Sequence, residues 1–112
     1  MSTISTHVLD TARGCPAEGM ELWLEQQIDG GWKRLGGGRT NADGRVTALV
    51  PEGRIQVGVH RMTFDTGGYH RAQGVAGFYP EVQVCFEIVA DDEHHHVPLL
   101  ISPFGFSTYR GS

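Results

Sequence analysis

The stretch "MELWLEQQI", Met20 to Ile28, alternates apolar and polar side chains with period two. Met20, Leu22, Leu24 and Ile28 fall on one side; Glu21, Trp23, Glu25 and Gln27 fall on the other. That is the pattern of a strand with one buried face. "DGG", starting at Asp29, is a hairpin turn signal, and "WKRLGGGRT" reads as the returning strand. Upstream, "STHVLDT" (Ser5 to Thr11) is a first strand, closed by a turn in "ARGCPA" at Gly14 and Pro16. Downstream, "NADGRV" turns at Asp43-Gly44 and leads into a short strand reaching Leu49. "VPEGR" turns again. "RIQVGVHRMTF" then reads as a longer strand with Ile55, Val57 and Val59 inward. Met62 and Phe64 have the opposite parity, which a bulge or burial of both faces near the strand end would reconcile.

"DTGGYHRAQG" is the one predicted helix, capped by Asp65 or Thr66 and ended by Gly74. Gly67 and Gly68 keep it weak, so it should span about two turns. "VQVCFEIVA" alternates through Val82, Val84, Phe86 and Ile88, and "HHHVPLLIS" and "FGFSTYR" close the chain as two strands around Ser102-Pro103. Seven or eight short strands, punctuated by 16 glycines and 5 prolines, predict an all-β sandwich. The 112 residues suit one domain, 1–112, with no internal repeat or linker.

Composition narrows the function. A net charge of −4 argues against general nucleic-acid or anionic-membrane binding, both of which need a basic face. Of the nine basic residues only Lys33 is not arginine, and arginine suits planar recognition of carbonyl and carboxylate groups. No window is long and apolar enough to span a membrane, and "MSTISTHVLD" lacks the basic start and apolar run of a secretory signal. Cys15 and Cys85 lie far apart in no CxxC pattern and read as free thiols, with a disulfide left open. The expected compartment is the cytoplasm.

Three features stand out as chemistry. His7 in the first strand is either a half-buried structural histidine or a general base, since histidine titrates near neutral pH. Arg45, just after the Asp43-Gly44 turn, is either solvated or placed to orient a substrate carbonyl and steady an oxyanion. "HHH", His94 to His96, invites a metal reading, because His94 and His96 share one strand face and could join His7 at a zinc ion. No HxxxH or CxxC supports that reading, so no metal is assigned. His96 faces opposite to Val97 and Leu99; if those two fill the core, His96 looks away from it and is the better site candidate. His95 lies on the other side from His96. His60 and His70 have no nameable partner and read as structural or surface residues. With no GxSxG and no cysteine beside an activating base, hydrolysis here would use activated water rather than a covalent intermediate.

Four segments together carry a resemblance: "HVLDTARGCPA", "TNADGRV", "YHRAQGVAGFYPEVQVCFEI" and "HHHVPLLISPFGFSTYRGS". They resemble, in order and over essentially the whole chain, the 5-hydroxyisourate hydrolases, the transthyretin-like enzymes of urate breakdown. The "HVLD" start and "YRGS" end are specific to the enzymes. Thyroid-hormone-carrying transthyretins are similar across the fold but lack that end and the paired histidines. The resemblance implies a transthyretin-like sandwich of two four-stranded sheets with one short helix after the fifth strand. It also implies a homotetramer, a dimer of dimers, with active sites in a channel where the dimers meet. His7, Arg45, His96 and Ser112 are the implied catalytic residues; His7, Arg45, Tyr109, Arg110 and Gly111 are the implied substrate contacts. His95 departs from the family, which often has tyrosine there. The implied reaction is hydrolysis of 5-hydroxyisourate at its N1–C6 amide bond, giving 2-oxo-4-hydroxy-4-carboxy-5-ureidoimidazoline, without cofactor. The rival is a non-catalytic, transthyretin-like carrier of a small ligand. On alternation Ser107, Tyr109 and Gly111 share one side of the last strand, so the chain end reads as a wall of the site.

Overall fold

The computed structural model describes residues 2–112. Eight strands form two four-stranded sheets. β1 is Thr3–Asp10, β2 Cys15–Pro16, β3 Glu21–Ile28, β4 Gly31–Arg39, β5 Gly58–Phe64, β6 Val82–Ile88, β7 His94–Ser102 and β8 Gly105–Thr108. One sheet runs β2-β1-β7-β8 and the other β4-β3-β5-β6. β1 and β7 are parallel and in register, Ser5 opposite His96 and Val8 opposite Leu99. This is the expected sandwich with its expected helix: α1, Thr66–Ala72, follows β5.

The opening stretch behaves as its alternation requires. Met20, Leu22 and Leu24 are completely or almost completely buried. Burying side chains of this size contributes about 1.5–3 kcal/mol each. The two-residue loop Asp29-Gly30 has both φ angles positive, the mirror-image turn that matches the twist of a hairpin. Ile28, expected inward, is 41% exposed. Pairing of β3 with β5 ends at Gln26–His60, so Ile28 lies past the end of its β5 partner, beside the turn.

Two further expectations are corrected. No strand runs from the Asp43-Gly44 turn to Leu49; residues 41–57 make turns and loops, with only an isolated bridge from Ile55 to Ser2. The longer strand also begins late, at Gly58. Ile55 is buried through that bridge, while Val57 is 50% exposed. The true inward parity of β5 is His60, Met62 and Phe64, all fully buried. Ile55 and Val57 lie outside the strand and Val59 is only half-buried within it, while Met62, Thr63 and Phe64 bury both faces at its end. "ARGCPA" adds a short element: Cys15 and Pro16 pair back onto Asp10 and Leu9. Both cysteines are free thiols.

α1 is capped by Asp65, whose Oδ1 accepts from the Gly68 N–H at 3.0 Å, and Gly74 follows its C-terminus with φ +71°. Tyr69 ties the helix to β1: its hydroxyl donates to buried Asp10 Oδ2 at 2.8 Å. Asp10 Oδ1 accepts from the Ala12 and Arg13 backbone, both at 3.1 Å. The Asp10 carboxylate thus fixes the end of β1, the strand that carries His7. Among the described residues no helix is long and apolar enough to cross a membrane.

Candidate active site

Thr6 and Val8 point into the sandwich, at 3% and 0% exposure, so Ser5 and His7 face out of it. On β7, Val97, Leu99 and Ile101 fill the core, which turns His94 and His96 outward, as the alternation requires. The parallel register then sets Thr3, Ser5 and His7 beside His94, His96 and Pro98 on one outer face. Hydrogen bonds join them. Thr3 Oγ1 lies 2.7 Å from His94 Nδ1, Ser5 Oγ lies 2.9 Å from His94 Nε2, and Ser5 Oγ lies 2.8 Å from His96 Nδ1.

Arg45 reaches this face from the 41–45 loop. Asn41 Oδ1 accepts from the Asp43 and Arg45 N–H groups at 2.9 and 3.1 Å, and the Asn41 N–H donates to the Arg45 carbonyl at 2.8 Å. The loop is sewn to β1 by the Val8 N–H, which donates to the Gly44 carbonyl at 2.9 Å. Gly44 is required there: its φ is +76°, and a Cβ would collide with the Val8 carbonyl oxygen and press on the His7 ring at 3.3 Å.

Burial pushes the His96 imidazole below the ordinary histidine value. The Arg45 guanidinium and the neighbouring His7 and His94 push in the same direction. His96 is therefore neutral near pH 7, the state in which an imidazole accepts a proton.

The chain end joins from β8. Leu99 pairs with Thr108, and the same register continues to His96–Gly111, where the Gly111 N–H donates to the His96 carbonyl at 2.8 Å. Gly111 lies against the His96 ring, with room for no Cβ. Tyr109 is exposed, on the parity of Gly111. Arg110 has the other parity: its Nη2 donates to Glu93 Oε1 at 3.1 Å, and the residue lines a cavity of about 250 Å³ with His96, Tyr109, His95, Val84 and Phe86. Ser112 is exposed. The structure thus gathers His7, Arg45, His96 and Gly111, and Arg110 lines a cavity together with His96 and Tyr109.

His95 faces the interior, 6% exposed, and its Nδ1 has no partner among the described residues. His60 and His70 are buried too, at 0% and 4%. Sequence reasoning placed His94 only in a zinc reading and Gly44 only in a turn, and gave no role to Thr3, Ser5 and Asn41. The signal for Thr3 and Ser5 was present, as polar positions two apart on the parity of His7. Among the described residues no group of three or more His, Cys, Asp or Glu side chains is arranged to hold a metal ion.

A two-sheet sandwich with a parallel β1–β7 pair, carrying histidines and an arginine on one outer face, is a transthyretin-type fold bearing the polar cluster of a hydrolytic site. The chain belongs to the HIUase/Transthyretin family, whose model matches residues 4–111. It is 48% identical over 109 residues to the 5-hydroxyisourate hydrolase of Salmonella dublin, covering 97% of this chain and 80% of that one. Its structure is similar to Klebsiella pneumoniae 5-hydroxyisourate hydrolase, with TM-score 0.84 and 37% identity over 100% of this chain and 94% of that one. It is also similar to sea bream transthyretin in complex with thyroxine, with TM-score 0.90 and 33% identity over 96% and 93%. A third likeness, to (S)-allantoin synthase, has TM-score 0.88 and 37% identity over 99% of this chain, which spans only 44% of that longer one. Because a carrier and a hydrolase share this backbone almost equally, the side chains of the site must separate them.

Proposed function

We propose that this chain hydrolyses 5-hydroxyisourate, opening the N1–C6 amide bond with activated water to give 2-oxo-4-hydroxy-4-carboxy-5-ureidoimidazoline in urate degradation. The observation that carries this reading is His96, kept neutral by burial and by Arg45 and pinned at Nδ1 by Ser5. Its other nitrogen is the proton acceptor of the site. The 48% identity to a 5-hydroxyisourate hydrolase supports the same substrate.

His7 and His96 hold the water and take its proton as oxygen attacks C6. Arg45 binds the substrate carbonyl and stabilises the negative charge that develops there. Transfers to a positioned base are typically worth ~10²–10⁴-fold and an oxyanion donor ~10²–10³-fold. Tyr109 and Gly111 wall the substrate, Arg110 fixes the chain end through Glu93, and Ser112 adds a hydroxyl and the terminal carboxylate. No cofactor takes part.

One sheet face supplies one wall. A homotetramer, built as a dimer of dimers, would close a second copy of this face over the first, excluding water and strengthening Arg45 and the histidines. The transthyretin-type fold supports this assembly, and a cytoplasmic location accompanies it. Freshly generated 5-hydroxyisourate, followed by absorbance and product NMR, tests the proposal. The protein should speed its decay at least a hundredfold over the spontaneous rate; a carrier would leave that rate unchanged and overturn it.

A further inference from the structure

Thr3, His94, Ser5 and His96 form an unbroken hydrogen-bonded row on the outer sheet face, with contacts of 2.7, 2.9 and 2.8 Å. It arises because β1 and β7 are parallel and in register, which sets polar positions two apart on each strand side by side. The row begins at half-buried Thr3, passes exposed His94 and ends at half-buried His96.

Its polarity follows from counting protons. The Ser5 hydroxyl has one proton, so it can donate to only one of the two imidazole nitrogens that contact it. If that proton lies toward His94 Nε2, then His94 Nδ1–H donates to Thr3 Oγ1 and His96 Nδ1–H donates to Ser5 Oγ. In this arrangement the protons of Ser5 and of both imidazoles are all used, and His96 Nε2 is bare. Reversing the row puts a proton on His96 Nε2 and leaves it unable to act as a base. One row thus has a base form and an acid form, interchanged by shifting protons along it.

We propose that Ser5 and His94 are a proton relay behind His96, carrying the proton taken from the attacking water to the solvent-exposed edge of the sheet. The proposal rests on the hydrolase reading and assigns roles to two residues that touch no substrate. In the forward step the water oxygen bonds to the substrate carbonyl carbon and its proton goes to His96 Nε2. The His96 Nδ1–H bond breaks toward Ser5 Oγ, and the original Ser5 proton passes to His94 Nε2. His96 ends neutral and His94 holds the charge. When the ring C–N bond breaks, the row runs backward: His94 Nε2 returns a proton to Ser5, Ser5 returns one to His96 Nδ1, and His96 Nε2–H protonates the departing nitrogen. The carboxylic acid formed then ionises to water.

The surroundings fit this division of work. Positive charge on His96 meets Arg45, His7 and His94 at close range. His94 instead is exposed and lines a surface cavity with Thr3, Arg54, Asp92 and Glu93. Moving the proton from His96 to His94 takes it from a half-buried place to an exposed one.

Three variants test the relay. Ser5→Ala breaks the row. His94→Gln keeps a group able to hydrogen-bond Ser5 but cannot hold a proton. Ser5→Thr keeps the hydroxyl. The first two should lower kcat about tenfold or more with KM unchanged, less than the ~10²–10⁴-fold that the base itself is worth, and Ser5→Thr should restore it. In mixed H2O/D2O the wild-type kcat should depend on deuterium fraction with curvature, several protons moving together, and His94→Gln should give a straight line. In the resting protein, 15N shifts should show His96 as the Nδ1–H form, a bias lost in Ser5→Ala. A wild-type kcat and a curved inventory in His94→Gln, or a resting His96 in the Nε2–H form, would overturn the relay while leaving the hydrolase reading intact. A wild-type protein that fails to speed 5-hydroxyisourate decay would instead overturn that reading, and the relay with it.

Discussion

Gly111→Ala is the sharpest single probe of how the chain end shapes the site. A methyl group built on Gly111 would sit 3.0 Å from His96 Cγ and 3.1 Å from His96 Cβ, and closer still to Cδ2. Carbon atoms settle at about 3.5–4.0 Å, so the tightest contact must open by more than about 1 Å. Two movements can open it. The His96 ring can swing, losing its 2.8 Å bond to Ser5; or the chain end can lift, losing the 2.8 Å bond from the Gly111 N–H to the His96 carbonyl. Either loss costs about 0.5–1.5 kcal/mol, small against the ~5–15 kcal/mol that holds a domain folded. Catalysis is less tolerant, because a misplacement of about 1 Å can lower a rate ~10²-fold. The expected result is therefore a loss of about a hundredfold in kcat/KM for 5-hydroxyisourate decay, with a melting temperature lowered by less than about 12 °C. A variant as fast as wild type would refute the reasoning, since it would mean that His96 does not depend on the fit of the chain end. A variant that unfolds at room temperature would refute the energy argument.

Other consequences can be checked alongside. Tyr69→Phe removes the donor to buried Asp10 Oδ2 and should destabilise the fold by about 1–3 kcal/mol in urea melts; an unchanged midpoint would show that the Asp10–Tyr69 bond is not what holds α1 to β1. His60 is completely buried, and burial pushes its imidazole below the value of 6.5 it has when unfolded. The unfolded chain then binds a proton that the folded chain refuses, so this contribution is complete above pH ~6.5 and is lost as pH falls below it, by at most about 1.4 kcal/mol per pH unit. His60→Phe, retaining the stack on Phe86, should make stability fall less steeply between about pH 6.5 and 5 than in wild type; equal slopes would rule His60 out as a source of acid sensitivity. Deleting Tyr109 to Ser112 should abolish turnover while circular dichroism keeps the sandwich signature, because β8 ends at Thr108; full activity would remove the chain end from the site.

How much of this was legible in the sequence depends on how far apart the interacting residues lie. Alternation in 20–28 fixed which side of β3 is buried, since that signal is local; only Ile28 escaped it, by overrunning its partner strand. The same alternation in 94–102 separated His96 from the core-filling Val97 and Leu99. The 41–57 segment was misread because its apolar residues, Leu49, Val50 and Ile55, are buried without joining a strand. The loop passes close over Gly36 and Gly38 of β4, where a side chain would collide with the Leu49 carbonyl and with Val46. Short apolar runs do not announce whether they bury themselves as ladder or as loop. The relay residues were hidden for another reason. Ser5 and His94 look like solvated strand positions until β1 and β7 lie together, and their sequence separation of 89 residues leaves no local trace of that pairing.

The central claim is that the outer face of the β2-β1-β7-β8 sheet is where water attacks 5-hydroxyisourate. It is tested most directly by the turnover of three single variants, His7→Ala, Arg45→Ala and His96→Ala, each shown to be folded by its melting curve. The account predicts that each loses at least about a hundredfold in kcat. Near-wild-type turnover in any one of them would contradict the role given to that residue, and near-wild-type turnover in all three would move the reaction to another part of the molecule.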